Sequence, residues 1–448
     1  MNNDKNSTAI RFLIIDSQAR GHALSCLLAQ SSDVECVFLS RRSPLPDIGY
    51  QKIQPVYWME ELQPDTYFQI IDFCREKAVD CVVVGTADAM IEGLVDALTF
   101  ANIRVVGANK KSSIVEASKC FSKRFFDRQG VSTPKYYTCQ STEEIITVDN
   151  GIYPCFIKSD KVIRSHYSAV KVNSKEEAVN VAIEIFSIQQ NYYGFSTAVI
   201  LEELCEGREL SLTILMSGEN WVELPACRDY KTLNDNDNGG NTSGMGAITP
   251  VPGVSSDLHR SMITSLVQPV VAGMVQEGLH YNGFLYFGIM IDANNGPVLL
   301  ELNCRLGDPE GQAICSLLTS DFASVLFSVS MGQLQKNAPL SIKPGYICCV
   351  YAVPKSYPEK AGVSFSVNFS ETFESAGKHD FYFGELLLSD HLNTIMTYNN
   401  RTFCVSAWGG TLSLARQLAY QKLHMVLSDG LHYRNDIGVS VIKGEDGR

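Results

Sequence analysis

The amino-acid sequence predicts a mixed protein, α/β at first and α+β afterwards, made of three successive modules. Three observations carry that reading. Over residues 1–115 short apolar runs alternate with helical patterns, as in a parallel doubly wound sheet. Between residues 282 and 303 two longer apolar runs flank a polar turn, as in a β-hairpin. From residue 347 onward the pattern is mostly strand, with one clear helical stretch. The modules are therefore placed at residues 1–115, at 116–337 with a small subdomain at about 130–200, and at 338–448.

In the first module, residues 10–15 (IRFLII), 34–39, 81–84 and 104–106 read as buried strands, with helices at 67–77 and 90–101 between them. Ligands of such sheets sit beyond the carboxyl ends of the strands, which points to the loops 16–22 and 85–90. A helix is expected over 112–129. Strands follow at 153–158 (YPCFIK) and 198–203 (AVILEE). Residues 234–246 (NDNDNGGNTSGMG) are too polar and glycine-rich for either regular structure, and 257–277 is an amphipathic helix.

The hairpin carries the chemistry. Its first strand is NGFLYFGIMID (282–292), and Ala293-Asn294-Asn295-Gly296 turns the chain into GPVLLELNCRLGDPEGQ (296–312). Glu301 and Asn303 stand two apart, so in a strand both side chains point to one face, and Arg305 continues that row if the strand persists. A carboxylate and an amide oxygen are hard ligands that take Mg²⁺ together with phosphate oxygens, and a guanidinium grips a phosphate or acyl phosphate. An edge strand whose polar face meets water has the same spacing.

Composition bounds the partners. The chain has 448 residues, 45% hydrophobic and 19% charged, with a formal net charge of −12. That balance excludes nucleic acid or an anionic membrane as main partner, yet permits local basic pockets for phosphates. The 14 cysteines are scattered without CxxC pairs, as small buried hydrophobes of a reducing compartment. The opening MNNDKNSTAI lacks a signal-peptide core, and no run of about 18 apolar residues occurs. A cytoplasmic protein acting on small molecules, as monomer or homodimer, is expected.

Hairpin plus Glu-x-Asn-x-Arg resembles the metal end of the ATP-grasp fold. The nearest family is the glycinamide ribonucleotide synthetases (phosphoribosylamine–glycine ligases), whose signature there runs close to GFLYxGLMID and then ExNCRFGDPExQ. The likeness extends over nearly the whole chain and is strongest from about residue 201. It implies a Rossmann-like N-terminal domain, an ATP-grasp central domain and a mostly β C-terminal domain. VEASKCFSKRFFDRQGVSTP (115–134) is similar to the family's LEGSKAFxKxFxxxxGxPTP, making Lys119 the first nucleotide lysine and Lys123, on the same helix face, a weaker candidate. Lys158 matches the second nucleotide lysine. AVILEE followed by Leu204-Cys205-Glu206-Gly207-Arg208-Glu209 resembles the hinge VVIEEFLxGEE, which implies Glu203, Leu204 and Cys205 for adenine and Glu209 for ribose. Arg20 and His22 match the family's first loop, which faces the amine substrate. Asp229 and Lys231 lie in its QDHKR-like segment, and Asn241, Thr242 and Gly244 in its GPNTGGMG-like loop, where backbone amides can hold a carboxylate or acyl phosphate.

The resemblance further implies the reaction. ATP phosphorylates a carboxylate, glycine in the relatives, and an amine displaces phosphate to give an amide in purine biosynthesis. Glu301 and Asn303 are the metal ligands for Mg²⁺ or Mn²⁺, Arg305 and Lys158 clamp phosphoryl oxygens, and Asp308 orients the amine or takes its proton. Several segments depart from the pattern. The first two loops, DSQARGHA and GTADAM, lack the family's glutamates. The glycine-rich lid is replaced by KSDKVIRSHYSAV (158–170), in which Lys161, Arg164 and His166 can supply cations in place of amides. Phe381-Tyr382-Phe383-Gly384 stands where relatives carry His-Ala-Gly-Thr. A ligase joining an amino acid to a different amine, or a non-catalytic nucleotide-binding relative, are the alternatives.

Overall fold

The computed structural model describes residues 9–41, 50–58, 63–161, 167, 169–294, 296–335, 340–358, 366–369, 380–384, 386–388, 394–397 and 401–443. Arg164, His166, the turn at Asn295, the 337/338 boundary and residues 359–362 fall outside them.

The apolar runs of the first module form β1 (Ile10–Ile15), β2 (Val34–Arg41), β3 (Ile53–Tyr57), β4 (Cys81–Val84) and β5 (Val105–Ala108). They pair in parallel in the order β3-β2-β1-β4-β5. The predicted helix at 90–101 is two helices, Ala87–Ile91 and Leu94–Phe100, because Gly93 adopts φ 95° between them. The predicted helix at 112–129 is likewise split: Ser118 is extended, and its hydroxyl caps Lys119–Gln129 by accepting from the Phe121 amide.

Four antiparallel strands, β6 (Tyr136–Cys139), β7 (Cys155–Ser159), β8 (Ala169–Val172) and β9 (Val199–Glu203), make a small separate sheet backed by helix Lys175–Tyr193. Its own core includes Cys139, Ile157, Ile185 and Leu201. β10 (Arg208–Ser217) and β11 (Asn220–Glu223) then return to the large sheet. β12 (Arg228–Asp229), β13 (Thr232–Asn234), β14 (Asn238–Asn241) and β15 (Gly246–Thr249) cover the polar stretch, so the segment expected to be irregular is in part a β-hairpin. The amphipathic helix follows as Ser256–Met262 and Gln268–Gln276, joined through one wide turn.

The predicted hairpin is β16 (Tyr281–Ile291) and β17 (Pro297–Asn303). β16 pairs with β10 along its length and touches β5 through Tyr281–Ala108 and Asn282–Gly107. First and central modules therefore share one nine-stranded sheet. The third module opens with β18 (Tyr346–Pro354), which pairs with β15 on one side and with strand Phe403–Gly409 on the other. The central and C-terminal modules thus also share a sheet, and helix Glu310–Leu317 packs against both. All 14 cysteines are free, and all but Cys205 are buried. No helix among the described residues is long and apolar enough to cross a membrane.

Candidate active site

The cleft lies between the small sheet and the β10-β16-β17 face of the large sheet. Glu301 lies opposite Gly288 and Asn303 opposite Tyr286, two residues apart on one face. A Cβ on Gly288 would stand 2.9 Å from Glu301 Cγ, so the glycine makes room for the carboxylate. Ser211 is opposite Gly288 and Glu209 is two residues before it, which puts Glu209 on the same face. Lys231 bridges the two: its ammonium pairs with Glu209 and lies 3.9 Å from Glu301 Oε1.

Charge is concentrated around Glu301. Burial alone would raise its pKa, but Lys231, Lys158, Lys119 and Arg305 outweigh it and bring it down to about 2, while the side chain stays 41% exposed to the cleft. Burial pushes the Lys119 ammonium below its usual value, opposed by Glu301. For Lys231, burial is overcome by Glu209, Glu301 and Asp229, and its pKa rises. An ionised carboxylate beside an amide oxygen fits a hard divalent cation. Among the described residues no cluster of three or more His, Cys, Asp or Glu side chains could hold a metal ion, so an ion at this pair would complete its shell from nucleotide and water.

Lys158 ends β7. Phe156 lies opposite Glu202 on β9, so Lys158, two residues on, is the diagonal neighbour of Glu202 on the same face, and its ammonium pairs with that carboxylate. Glu203 consequently points the other way and is exposed, with its backbone N–H given to Lys135 O at 2.8 Å. Leu204 and Cys205 follow, half-buried. In the glycine-rich segment Asn241 is exposed. Thr242 donates both its N–H (2.7 Å) and its hydroxyl (2.8 Å) to Lys231 O and accepts from Gly244 N (3.0 Å). Asp229 packs beneath: its Oδ1 is buried without a hydrogen-bond partner, and burial together with Glu310 lifts its pKa well above the usual range.

Several of the expected residues also have partners inside the protein. β17 ends at Asn303, so Arg305 leaves the row of Glu301. Its Nε donates to Glu116 Oε1 at 3.0 Å, and the guanidinium reaches the cleft from the turn. Arg20 donates to Asp16 (2.6 Å) and to the carbonyls of Gly85 and Leu306, contacts that take three of its five N–H donors. His22 is fully buried. Its Nδ1 accepts from Phe383 N at 3.0 Å and its ring stacks on Phe383 of the C-terminal module, while its Nε2 is buried without a hydrogen-bond partner. Asp308 is also buried. Arg401 pairs with it at 2.8 Å, Gln312 and Tyr351 donate to it at 2.7 Å, and its pKa lies below the usual value, which makes it a poor proton acceptor. Lys123 does not face the cleft either; it is buried behind Glu202.

The sequence reading passed over Glu116, Glu202, Glu310, Tyr351 and Arg401. Glu116 takes both the Cys304 amide (2.7 Å) and Arg305. Its only local signal is its place beside the nucleotide lysine in VEASK.

A small sheet that presents Lys158 toward an oxygen pair on a large-sheet hairpin is the architecture of an ATP-grasp enzyme. The chain matches, in order, the phosphoribosylglycinamide synthetase N domain over residues 10–116, its ATP-grasp (A) domain over 117–311 and its C domain over 347–440. It belongs to the phosphoribosylglycinamide synthetase family. It is 29% identical to a phosphoribosylamine–glycine ligase of Vibrio parahaemolyticus, over 97% of this chain and 99% of that one. It is 31% identical to the human trifunctional purine biosynthetic protein adenosine-3, over 97% of this chain and 42% of that longer protein. The crystal structure of the phosphoribosylamine–glycine ligase of Thermotoga maritima superposes with a TM-score of 0.77 at 26% identity, covering 96% of this chain and all of that one.

Proposed function

We propose that the protein joins glycine to phosphoribosylamine at the expense of ATP. The observation that carries this is the ionised Glu301–Asn303 pair ringed by Lys119, Lys158, Lys231 and Arg305, in a chain similar over its full length to phosphoribosylamine–glycine ligases.

In this reading Glu203, Leu204 and Cys205 meet adenine and Glu209 meets ribose. Lys119, Lys158 and Arg305 neutralise phosphoryl oxygens, while Asp229, Lys231, Asn241, Thr242 and Gly244 border the carboxylate substrate. Glu301 and Asn303 would hold Mg²⁺ or Mn²⁺, which supplies charge neutralisation on the phosphates. The glycine carboxylate oxygen takes the terminal phosphoryl group of ATP, giving acyl phosphate and ADP. The amine nitrogen then attacks the acyl carbon, phosphate leaves, and the nitrogen gives up a proton. No side-chain nucleophile is required; placement and charge do the work.

A ligase for a different amine is the second reading, favoured by the commitment of Arg20 and His22 to internal partners. ADP release measured with glycine and phosphoribosylamine, against a panel of amino acids and amines, tests the proposal. The expected result is release that needs both substrates and is lost in Glu301→Ala. Release driven better by another amine replaces the first reading with the second, and an active Glu301→Ala removes the site assignment.

A further inference from the structure

Behind the cleft, the Lys123 side chain is 3% exposed and its ammonium lies 2.5 Å from Glu202 Oε2 and 2.6 Å from Thr133 Oγ1. Thr133 in turn donates to Leu299 O at 2.8 Å, and Leu299 N donates to Ser132 O at the same distance. Leu299 lies on β17, two residues before Glu301. Glu202 uses its other oxygen for Lys158. One chain of contacts therefore runs from the lysine of the small sheet, through Glu202 and Lys123, to the strand that carries the Glu301 carboxylate.

An apolar side chain of this length would fill the space with less desolvation. The Lys123 ammonium also lies over two aromatic rings, 5.9 Å from the Phe126 centroid and 6.0 Å from that of Tyr136. Beyond those ring contacts and the bond to Thr133, the charge adds a claim on one oxygen of Glu202. The contact to Oε2 is an ion pair rather than a hydrogen bond, and its pull biases the carboxylate so that Oε1 presents to Lys158. Without it, Glu202 is free to turn and draw Lys158 inward.

We infer that Lys123 is a positioning residue: through Glu202 it sets where the Lys158 ammonium stands, and through Thr133 it ties that position to the Glu301 strand. The inference rests on Lys158 gripping nucleotide phosphate, as proposed above. A lysine fixed before binding spares the nucleotide the cost of ordering it, worth about tenfold in affinity.

The test is calorimetric titration of Mg-ATP and of adenosine into the full chain, with no amino acid or amine present. Lys158→Met and Lys123→Met are each expected to raise Kd for ATP about tenfold and to leave adenosine within about twofold. The double variant is expected to be no weaker than Lys158→Met alone, because Lys123 acts through Lys158. Equal loss for ATP and adenosine in Lys123→Met, additive losses in the double variant, or unchanged ATP binding in Lys123→Met alone overturns the inference. Unchanged ATP binding in Lys158→Met overturns both it and the phosphate role of Lys158. Should Lys123→Met fail to fold, Thr133→Val decides: a loss of about threefold confined to ATP supports the inference, and no change overturns it.

Discussion

Asp308 and Arg401 face each other at 2.8 Å, both inside the protein, one at the turn after the hairpin and the other in the C-terminal module. The same guanidinium donates to the carbonyls of Ser243 (2.6 Å), Gly244 (3.1 Å) and Asp308 (2.8 Å). The third module therefore holds the glycine-rich segment against the central domain.

Breaking that pair strands a buried charge. Arg401→Met is expected to cost about 3–5 kcal/mol, read as a lower midpoint in urea unfolding followed by fluorescence. The Asp308 carboxyl titrates below its usual range in the folded state, so its contribution is full above about pH 4 and is lost as pH falls through the lower folded value. Asp308→Asn should flatten that part of the acid unfolding curve. A variant as stable as the parent but dead in turnover would return Asp308 to a role as proton acceptor.

Gly244 sits at φ 105°, and a Cβ there would meet Pro309 Cδ at 2.5 Å, Asp229 Oδ1 at 2.8 Å and Asp308 O at 3.0 Å. Gly244→Ala combines left-handed strain with a clash against backbone, so a loss of about 1–3 kcal/mol is expected. The loop must then move off Asp229, and KM for the carboxylate substrate should rise more than KM for ATP. Steady-state kinetics with each substrate varied in turn decides this.

How far the site was legible follows the range of its contacts. The pairing of Glu301 with Asn303 depends on the two-residue period of a strand, a local property, and the hairpin appears at 281–303 as its apolar runs imply. The fates of Arg20, His22 and Glu116 depend on partners 286, 361 and 188 residues away, which no local pattern carries. Lys119 and Lys123 do share a helix face by spacing. That face, however, meets the cleft at one end and β9 at the other, and periodicity cannot tell the ends apart. The large sheet's continuity across modules was hidden for the same reason: β5 and β16 pair over more than 170 residues of intervening chain.

Glu116 offers a direct check on a residue found only in the structure. It holds the Cys304 amide and the Arg305 guanidinium at once. Glu116→Gln keeps the size but weakens both charge-assisted bonds, so Arg305 should swing from its place. A loss of about 1.5–3 kcal/mol in kcat/KM is expected. Unchanged kcat/KM with a lower melting temperature would make Glu116 a fold residue only.

Lys123 makes a stability prediction of its own. Burial lowers its pKa to about 8, against the pull of Glu202, from an ordinary lysine value near 10.4. A lysine whose folded pKa is depressed binds its proton more weakly folded than unfolded. Between about pH 8 and 10 the unfolded chain therefore carries more protons, and stability due to this group rises with pH across that window. Other buried groups oppose the trend, since burial raises Cys155 and Tyr153 to about 12 and makes them lose stability on the alkaline side. The difference between parent and Lys123→Met removes their common contribution. Unfolding free energies measured at intervals from pH 7 to 10 should show the parent gaining up to about 3 kcal/mol on the variant. Parallel curves would mean that the ammonium keeps its ordinary pKa, and that Glu202 balances burial more fully than its one short contact to Lys123 suggests.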